Sequence, residues 1–201
     1  MRPSSIRGST LAIACLYTVA LRLAPYALMR MGVPVDPNTM LWPWNFSPAL
    51  AVFLFGGALL PQRSASLLLP LGVYFASDLG IGLISGHWDW AFYPQQWTVY
   101  VAVALCAALG WLLRGRRSWG GIAACAFSAP WIFFFITNAG AWLGNSRYPQ
   151  NLAGLIECYT AGLLHHRNLL LSTMLFSGLL FSPLGVTAAD GERTREPLVT
   201  V

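Results

Sequence analysis

The stretch LLLPLGVYFASDLGIGLIS at residues 67–85 is an apolar run of membrane-spanning length with one carboxylate, Asp78, inside it. A helix that crosses a bilayer needs about 20 mostly apolar residues. A charge near the centre of such a helix costs at least about 2.5–3.5 kcal/mol, so a carboxylate there is usually paired, protonated or functional. The stretch therefore predicts a transmembrane helix, and the group that faces Asp78 becomes the first question about the rest of the chain.

The composition indicates the same class for the whole chain. Of the 201 residues, 56% are hydrophobic and 9% are charged, and nine are tryptophan. Such values are typical of membrane proteins. The net charge of +5 comes from arginine alone, since the chain contains no lysine. In a membrane protein basic residues orient the helices, so we expect no nucleic-acid partner.

Six apolar segments follow one another, at residues 11–29, 46–60, 67–85, 97–113, 120–143 and 169–186. They predict an all-α, polytopic membrane bundle of about six transmembrane helices, formed as one domain by residues 1–186. The polar tail at residues 187–201 is predicted to be disordered and cytoplasmic. The second segment is short for a full crossing. Residues 151–164 are only moderately apolar, and the polar sequence HHRN at residues 165–168 separates them from the last segment.

The arginines orient the predicted helices. With six spans, eight arginines lie on the side of the two termini and three lie on the opposite side. Basic residues are enriched in cytoplasmic loops. We therefore expect a multi-pass protein of the bacterial inner membrane, with both termini in the cytoplasm and the lipid bilayer as its immediate partner.

Two opposite charges are predicted at one depth in the membrane. At about 1.5 Å per residue, Arg22 in the first span and Asp78 in the third both lie roughly 3 Å beyond the midplane, on the outer side. An ion pair between them is the economical hypothesis. Two interpretations stay open: a structural pair that sets the helix register, and a pair that lines a binding site.

Other polar and aromatic residues gather in the same outer half. Asn45 opens the second span, Asn138 lies in the fifth, and Trp88 and Trp90 belong to an aromatic loop above them. This arrangement is typical of a ligand cavity that opens to the outside of a helix bundle. The alternatives are that Asn138 bonds a neighbouring helix and that the tryptophans anchor the membrane interface.

Signals for a metal, a cofactor or catalysis are weak. Glu157 and His165 are eight residues apart and can share a helix face, but the sequence offers no third or fourth metal ligand. No nucleophile elbow, H-E-x-x-H motif, P-loop or Rossmann fingerprint is present. We expect neither a metal, nor a cofactor, nor an enzyme. Since no ATPase motif is present, active uptake needs an ion gradient or a separate energising module.

Four blocks carry a resemblance to a known family. They are NFSPALAVFLFGGALLP at residues 45–61, PLGVYFASDLGIG at 70–82, FFITNAGAWL at 134–143 and YPQNLAGLIECYTAGL at 148–163. The chain resembles a bacterial family of small six-helix membrane proteins of unknown function that are usually labelled as transport proteins. The residues that match the family pattern are Asn45, Ser47, Pro48, Ser77, Asp78, Thr137, Asn138, Trp142, Tyr148, Pro149, Glu157, Cys158 and Tyr159.

More distantly, the layout is similar to the substrate-binding S-components of energy-coupling-factor transporters. That resemblance implies an outward-facing site for a small solute and an ATP-driven module as a partner. The candidate solute-binding residues are Arg22, Asn45, Asp78, Trp88, Trp90, Asn138 and Glu157. The alternative is a structural or assembly protein of the membrane that transports no ligand.

Overall fold

The computed structural model describes residues 4–33, 35, 45–115 and 117–188 as a bundle of α-helices. The helices are α1 (Gly8–Arg30), α2 (Ala49–Leu59), α3 (Arg63–Ser85), the single-turn α4 (Trp88–Ala91), α5 (Gln96–Leu109), α6 (Trp119–Trp142) and α7 (Leu152–Leu180). A 3-10 turn at Gly110–Leu113 extends α5. The predicted all-α bundle is confirmed.

Within the described residues, four helical segments are long and apolar enough to cross a membrane. They are Gly8–Arg30, Arg63–Ser85, Trp88–Leu113 and Trp119–Trp142. Large apolar side chains cover their outer faces, as shown on α3 by Leu68 and Leu83, which are 66% and 73% exposed. A surface of this kind is compatible with lipid as the surrounding solvent.

Helix α2 lies at the centre of the bundle and corrects the predicted span at residues 46–60. It has 11 residues, and ten of them, from Ala49 to Ala58, are buried. It packs against α1, α3, α5, α6 and α7. At about 1.5 Å per residue the helix is roughly 16 Å long, about half of a hydrocarbon layer of ~30 Å. The residues before Ala49 do not continue the helix, because the chain turns at Asn45 with a φ of 62°.

The backbones of α2 and α5 touch at two glycines. A Cβ atom at Gly57 would meet the carbonyl oxygen of Ala107, and one at Gly110 would meet the carbonyl oxygen of Leu54. Small residues at such a crossing allow helices to approach closely within a membrane bundle. The close approach explains how one short helix can contact so many neighbours.

Arg114 closes the C-terminal end of α2. Its Nε donates to the carbonyl oxygen of Gly57 at 2.8 Å, its Nη2 to that of Leu60 at 2.9 Å, and its Nη1 to that of Pro61 at 3.3 Å. The last carbonyls of a helix have no partners within the helix. The guanidinium supplies them, and its charge complements the helix dipole.

Helix α7 corrects the predicted last span. One helix of 29 residues runs from Leu152 to Leu180, so the moderately apolar stretch, the HHRN sequence and much of the predicted span at 169–186 form one rod. His, Arg and Asn do not break a helix, and the extensive contact with α6 holds this one along its length. The helix begins at Asn151, whose Oδ1 accepts from the N–H of Gly154 at 3.0 Å.

The two ends of the described chain meet in a short antiparallel ladder. Strand β1 (Ser4–Ile6) pairs with strand β2 (Val186–Ala188) in the register Ile6 to Val186. The N–H of Arg7 donates to the carbonyl oxygen of Gly185 at 2.9 Å and extends this contact. The first two residues of the predicted disordered tail are therefore paired, and residues 189–201 lie outside the described residues.

Candidate functional site

A cavity of ≈ 490 Å³ opens among α1, α3, α5, α6 and α7, at the end of the bundle where the chain approaches α2. Its polar lining residues come from six places in the sequence, and this set is Arg22, Asn45, Ser47, Asp78, Gln96, Thr137, Asn138, His165 and His166. Aromatic side chains complete the wall. Polar residues that are far apart in the sequence therefore line the same cavity.

Asp78 is the charged centre of the wall and is 1% exposed. Its Oδ1 accepts from Arg22 Nη2 at 2.5 Å. Its Oδ2 accepts from Gln96 Nε2 at 2.6 Å and from the Tyr100 hydroxyl at 2.7 Å. Three donors from two helices therefore satisfy a carboxylate that would otherwise be costly to bury.

Arg22 reaches this carboxylate across an aromatic face. Its guanidinium carbon lies 3.9 Å from the centre of the Tyr74 ring, an arrangement in which the ring attracts the cation. The predicted ion pair between Arg22 and Asp78 is confirmed. Arg22 Nε and Gln96 Oε1 are buried without a hydrogen-bond partner among the described residues. The pair is electrically neutral, but the cluster keeps one spare donor and one spare acceptor.

The other predicted site residues divide into two groups. Asn45, Trp90 and Asn138 line the cavity. Asn138 also donates from Nδ2 to the carbonyl oxygen of Phe134 at 2.8 Å, one turn back in α6. Trp88 and Glu157 do not line it: the Trp88 ring stacks on Phe92, and Glu157 is exposed on α7.

His166 is the most unusual polar group of the wall. It is 5% exposed, and neither ring nitrogen has a hydrogen-bond partner within the described ranges. Its ring packs 4.1 Å from the Trp131 ring and 4.8 Å from the Phe134 ring, measured between centroids. A buried polar atom without a partner costs about 1–3 kcal/mol. Such a group in a cavity wall is a candidate for contact with a ligand.

The comparison with protein families finds one match, which covers residues 4–193. The chain belongs to the DUF6580 family. This is a family of unknown function, so membership assigns no activity and no site residue. No curated protein and no solved structure matches the chain. The expected membership of a family of unknown function is confirmed, and the likeness to transporter S-components stays a prediction.

Sequence reasoning missed three polar residues at the cavity and the Asp78 cluster: Gln96, Tyr100 and His166. Gln96 and Tyr100 are four residues apart on α5, a spacing that puts two side chains on one helix face. A glutamine and a tyrosine at that spacing within an apolar helix were the available signal. His166 belongs to the polar HHRN sequence, but the sequence does not show which of these side chains faces the bundle.

A second, smaller pocket adjoins the first in this DUF6580 chain. Its volume is ≈ 320 Å³, and it is lined by Tyr26, Met29, Arg30, Ile84, Ser85, His87 and Trp90. Tyr26 and Trp90 line both pockets, and their ring centroids are 6.2 Å apart. The two rings therefore lie between the cavity and this second pocket.

Metal binding finds no support in the part of the chain that the structure describes. No group of three or more His, Cys, Asp or Glu side chains there is close enough to hold a metal ion. Glu157 and His165 do not line a common pocket, because only His165 borders the cavity. The site offers hydrogen-bonding groups and aromatic faces to a ligand.

Proposed function

We propose that this protein is a multi-pass protein of the bacterial inner membrane that binds a small solute in the ≈ 490 Å³ cavity and delivers it for transport. The solute enters from the outer side, and both termini lie in the cytoplasm. The protein captures the solute without converting it. A separate ATP-driven module releases the solute on the inner side.

The observation that carries this proposal is the combination of volume and unused hydrogen-bonding atoms. Ligand cavities usually enclose roughly 300–1,000 Å³ and mix apolar walls with a few convergent polar groups. Here the walls include His166, Arg22 and Gln96, each with a buried polar atom that lacks a partner among the described residues. A polar solute that bonds to these atoms removes the cost of leaving them unpaired.

Asp78 acts in this proposal as part of the wall. Its two oxygens already accept three hydrogen bonds, so its role is to hold Arg22, Gln96 and Tyr100 in place. Tyr26 and Trp90 lie between the cavity and the second, smaller pocket. The satisfied state of Asp78 also favours the second candidate function, a structural membrane protein whose charge cluster only fixes the helix register.

The test is a ligand screen with a variant that fills the cavity. The full-length protein is purified in detergent, and its melting temperature is measured against vitamins, nucleobases, amino acids and organic acids. Ala141 lines the cavity, so Ala141→Phe is expected to remove the response to any ligand that is found. Ala124 lies exposed on the same helix and away from the cavity, so Ala124→Phe is the matched control.

A stabilising ligand that is lost in Ala141→Phe and kept in Ala124→Phe supports solute binding. A ligand at a hundredfold excess over its Kd stabilises a protein by about 2.7 kcal/mol, which such a screen detects readily. Absence of any response in the wild type, together with tight co-purification of one membrane protein, favours the structural function instead.

A further inference from the structure

The geometry points to a substrate class: we propose that the cavity takes a small planar monocarboxylate, with its carboxylate between the N-terminus of α2 and His166. This inference rests on the solute-binding function proposed above. It adds the charge of the solute, the group that recognises it and the shape of its body.

The first observation is that α2 begins inside the bundle, at the cavity. Asn45, Phe46 and Ser47 line the cavity directly before the helix. The helix is roughly 16 Å long, so in the proposed orientation, with its C-terminal end at a membrane surface, its first turn stands near the middle of a ~30 Å hydrocarbon layer. A half-length helix that starts at a cavity directs the positive end of its dipole at the contents of that cavity.

The first turn of α2 has unused donors. No side chain caps the helix at Pro48. The N–H of Ala49 reaches Ser47 Oγ at the long distance of 3.4 Å. The N–H groups of Leu50 and Ala51 have no acceptor outside the helix among the described residues, and a helix offers none to its first turn. Anions bind at such a terminus through these N–H groups, and the residues at this end of α2 that line the cavity are Asn45, Phe46 and Ser47.

The second, independent observation is His166. Its side chain lines the same cavity, is 5% exposed and has no hydrogen-bond partner at either nitrogen among the described residues. Helix α7 also approaches the segment before α2: the hydroxyl of Ser172 donates to the carbonyl oxygen of Leu169 at 3.1 Å, and its Oγ lies 3.5 Å from the carbonyl oxygen of Asn45. An imidazole N–H is a suitable donor to a carboxylate oxygen.

The charge balance of the cavity wall argues against a preference for a cationic ligand. Asp78 is the carboxylate that borders the cavity, and Arg22 neutralises it at 2.5 Å. Glu157 lies outside the cavity. What remains among the described lining residues is the positive end of α2, the spare donor at Arg22 Nε and the imidazoles of His165 and His166. Among the described residues, this environment favours a negative ligand and offers no unpaired carboxylate to an ammonium group.

The aromatic part of the cavity wall determines which shape of solute fits beside the carboxylate site. Tyr26, Phe46, Trp90, Phe133 and Phe134 line the cavity. Aromatic faces and edges bind a flat apolar body through offset or edge-on contacts. A single carboxylate on a planar ring system matches this combination of one anion site and several ring contacts.

The experiment compares three matched probe series on the purified full-length protein by titration calorimetry. The first series is benzoate, nicotinate and naphthoate; the second is the corresponding carboxamides; the third is the corresponding aminomethyl compounds. The shape is shared and the charge changes from negative to neutral to positive. We expect at least one carboxylate to bind, with a Kd about tenfold or more below that of its carboxamide, a difference of about 1.4 kcal/mol.

A pair of variants tests the position of the carboxylate. Ser47→Asp places a permanent negative charge at the start of α2, where aspartate caps helices well, and is expected to abolish carboxylate binding. Ser47→Asn has the same size and no charge, and is expected to keep most of it. His166→Gln is expected to weaken carboxylates more than carboxamides. Should Ser47→Asp fail to fold, the comparison of probe series on the wild type still decides the matter.

The failures of the two proposals differ. Equal binding of carboxamides, or a preference for the amines, overturns the anion assignment and leaves solute binding standing. If none of the three series binds but the broad screen finds a ligand of another shape, the planar monocarboxylate assignment is likewise overturned and solute binding stands. Absence of any ligand in both experiments overturns both proposals.

Discussion

At the scale of single residues, Asp78 shows how a charge is kept inside an apolar bundle. Its carboxylate is 1% exposed and accepts from Arg22, Gln96 and Tyr100. A buried ion pair contributes little net stability compared with an apolar pair, but removal of one partner is costly because the other charge stays buried. The cluster therefore makes strong predictions about single substitutions.

Asp78→Asn is expected to lower the free energy of unfolding by about 3–5 kcal/mol, because it leaves the Arg22 guanidinium without a counter-charge. Unfolding in detergent by a chemical denaturant measures the loss. The double variant Arg22→Gln, Asp78→Asn is expected to lose less than the sum of the two single variants, since its members interact directly. Simple additivity would contradict the pairing.

Tyr100→Phe removes one O–H donor to Asp78 Oδ2 and changes little else. The bond is 2.7 Å long, and hydrogen bonds to charged groups are worth about 1.5–3 kcal/mol. We expect a destabilisation in that range by the same denaturant measurement. Tyr17→Phe is the control, because Tyr17 is 45% exposed and only minor change is expected there. Equal effects of the two substitutions would argue against the bond.

At the scale of elements, the short helix α2 organises the bundle. It is buried along nearly all of its 11 residues, touches α5 backbone to backbone at Gly57 and Gly110, and ends under the side chain of Arg114. It begins directly after residues that line the cavity, Asn45 to Ser47, and its other end leads into α3.

Gly57→Ala is expected to destabilise the protein by about 1–3 kcal/mol, the usual cost of overpacking. Its new methyl group meets the backbone carbonyl of Ala107, which cannot move aside as a flexible side chain can. Gly72→Ala is the control, since a Cβ there meets nothing within 4 Å. That helical substitution is expected to stabilise by about 0.5–1 kcal/mol. Opposite signs in the two melting temperatures are the result to look for.

Arg114→Gln is expected to lower the free energy of unfolding by about 1–3 kcal/mol, because buried carbonyls at the end of α2 lose their donors. Arg147→Gln removes the same charge at an exposed loop position and serves as the control, with a change within about 0.5 kcal/mol. Similar melting temperatures for the two variants would show that the cap at Arg114 is unimportant.

At the scale of the whole molecule, the ladder between β1 and β2 brings the two ends of the described chain together. Strands that exchange backbone hydrogen bonds cannot lie on opposite sides of a bilayer. Protease-cleavable tags before Met1 and after Val201 are therefore expected to be cut together, from one side only. Inverted vesicles and intact spheroplasts distinguish the sides. Cleavage of the two tags from opposite sides would contradict the ladder.

The sequence alone was sufficient for the all-α class, for several apolar helices of membrane-spanning length and for the pairing of Arg22 with Asp78. Hydropathy can be read along the sequence without the fold, because a helix exposed to lipid must be apolar along its whole length. The depth of a residue within a membrane-spanning helix can also be read from its position in the sequence, since each residue advances a helix by about 1.5 Å. Two charges at one depth in a small bundle have few other partners.

Tertiary structure decided what the sequence pattern leaves open. The rotation of each helix about its axis brings Gln96, Tyr100 and His166 to the inside and leaves Trp88 and Glu157 outside the cavity. The sequence also does not show that α2 is only about half as long as a membrane span, because an apolar stretch has the same pattern whether lipid or protein surrounds it. Hydropathy therefore determined which segments are helices, whereas the close contact of α2 with α5 and the turn at Asn45 determined that a helix begins at the cavity.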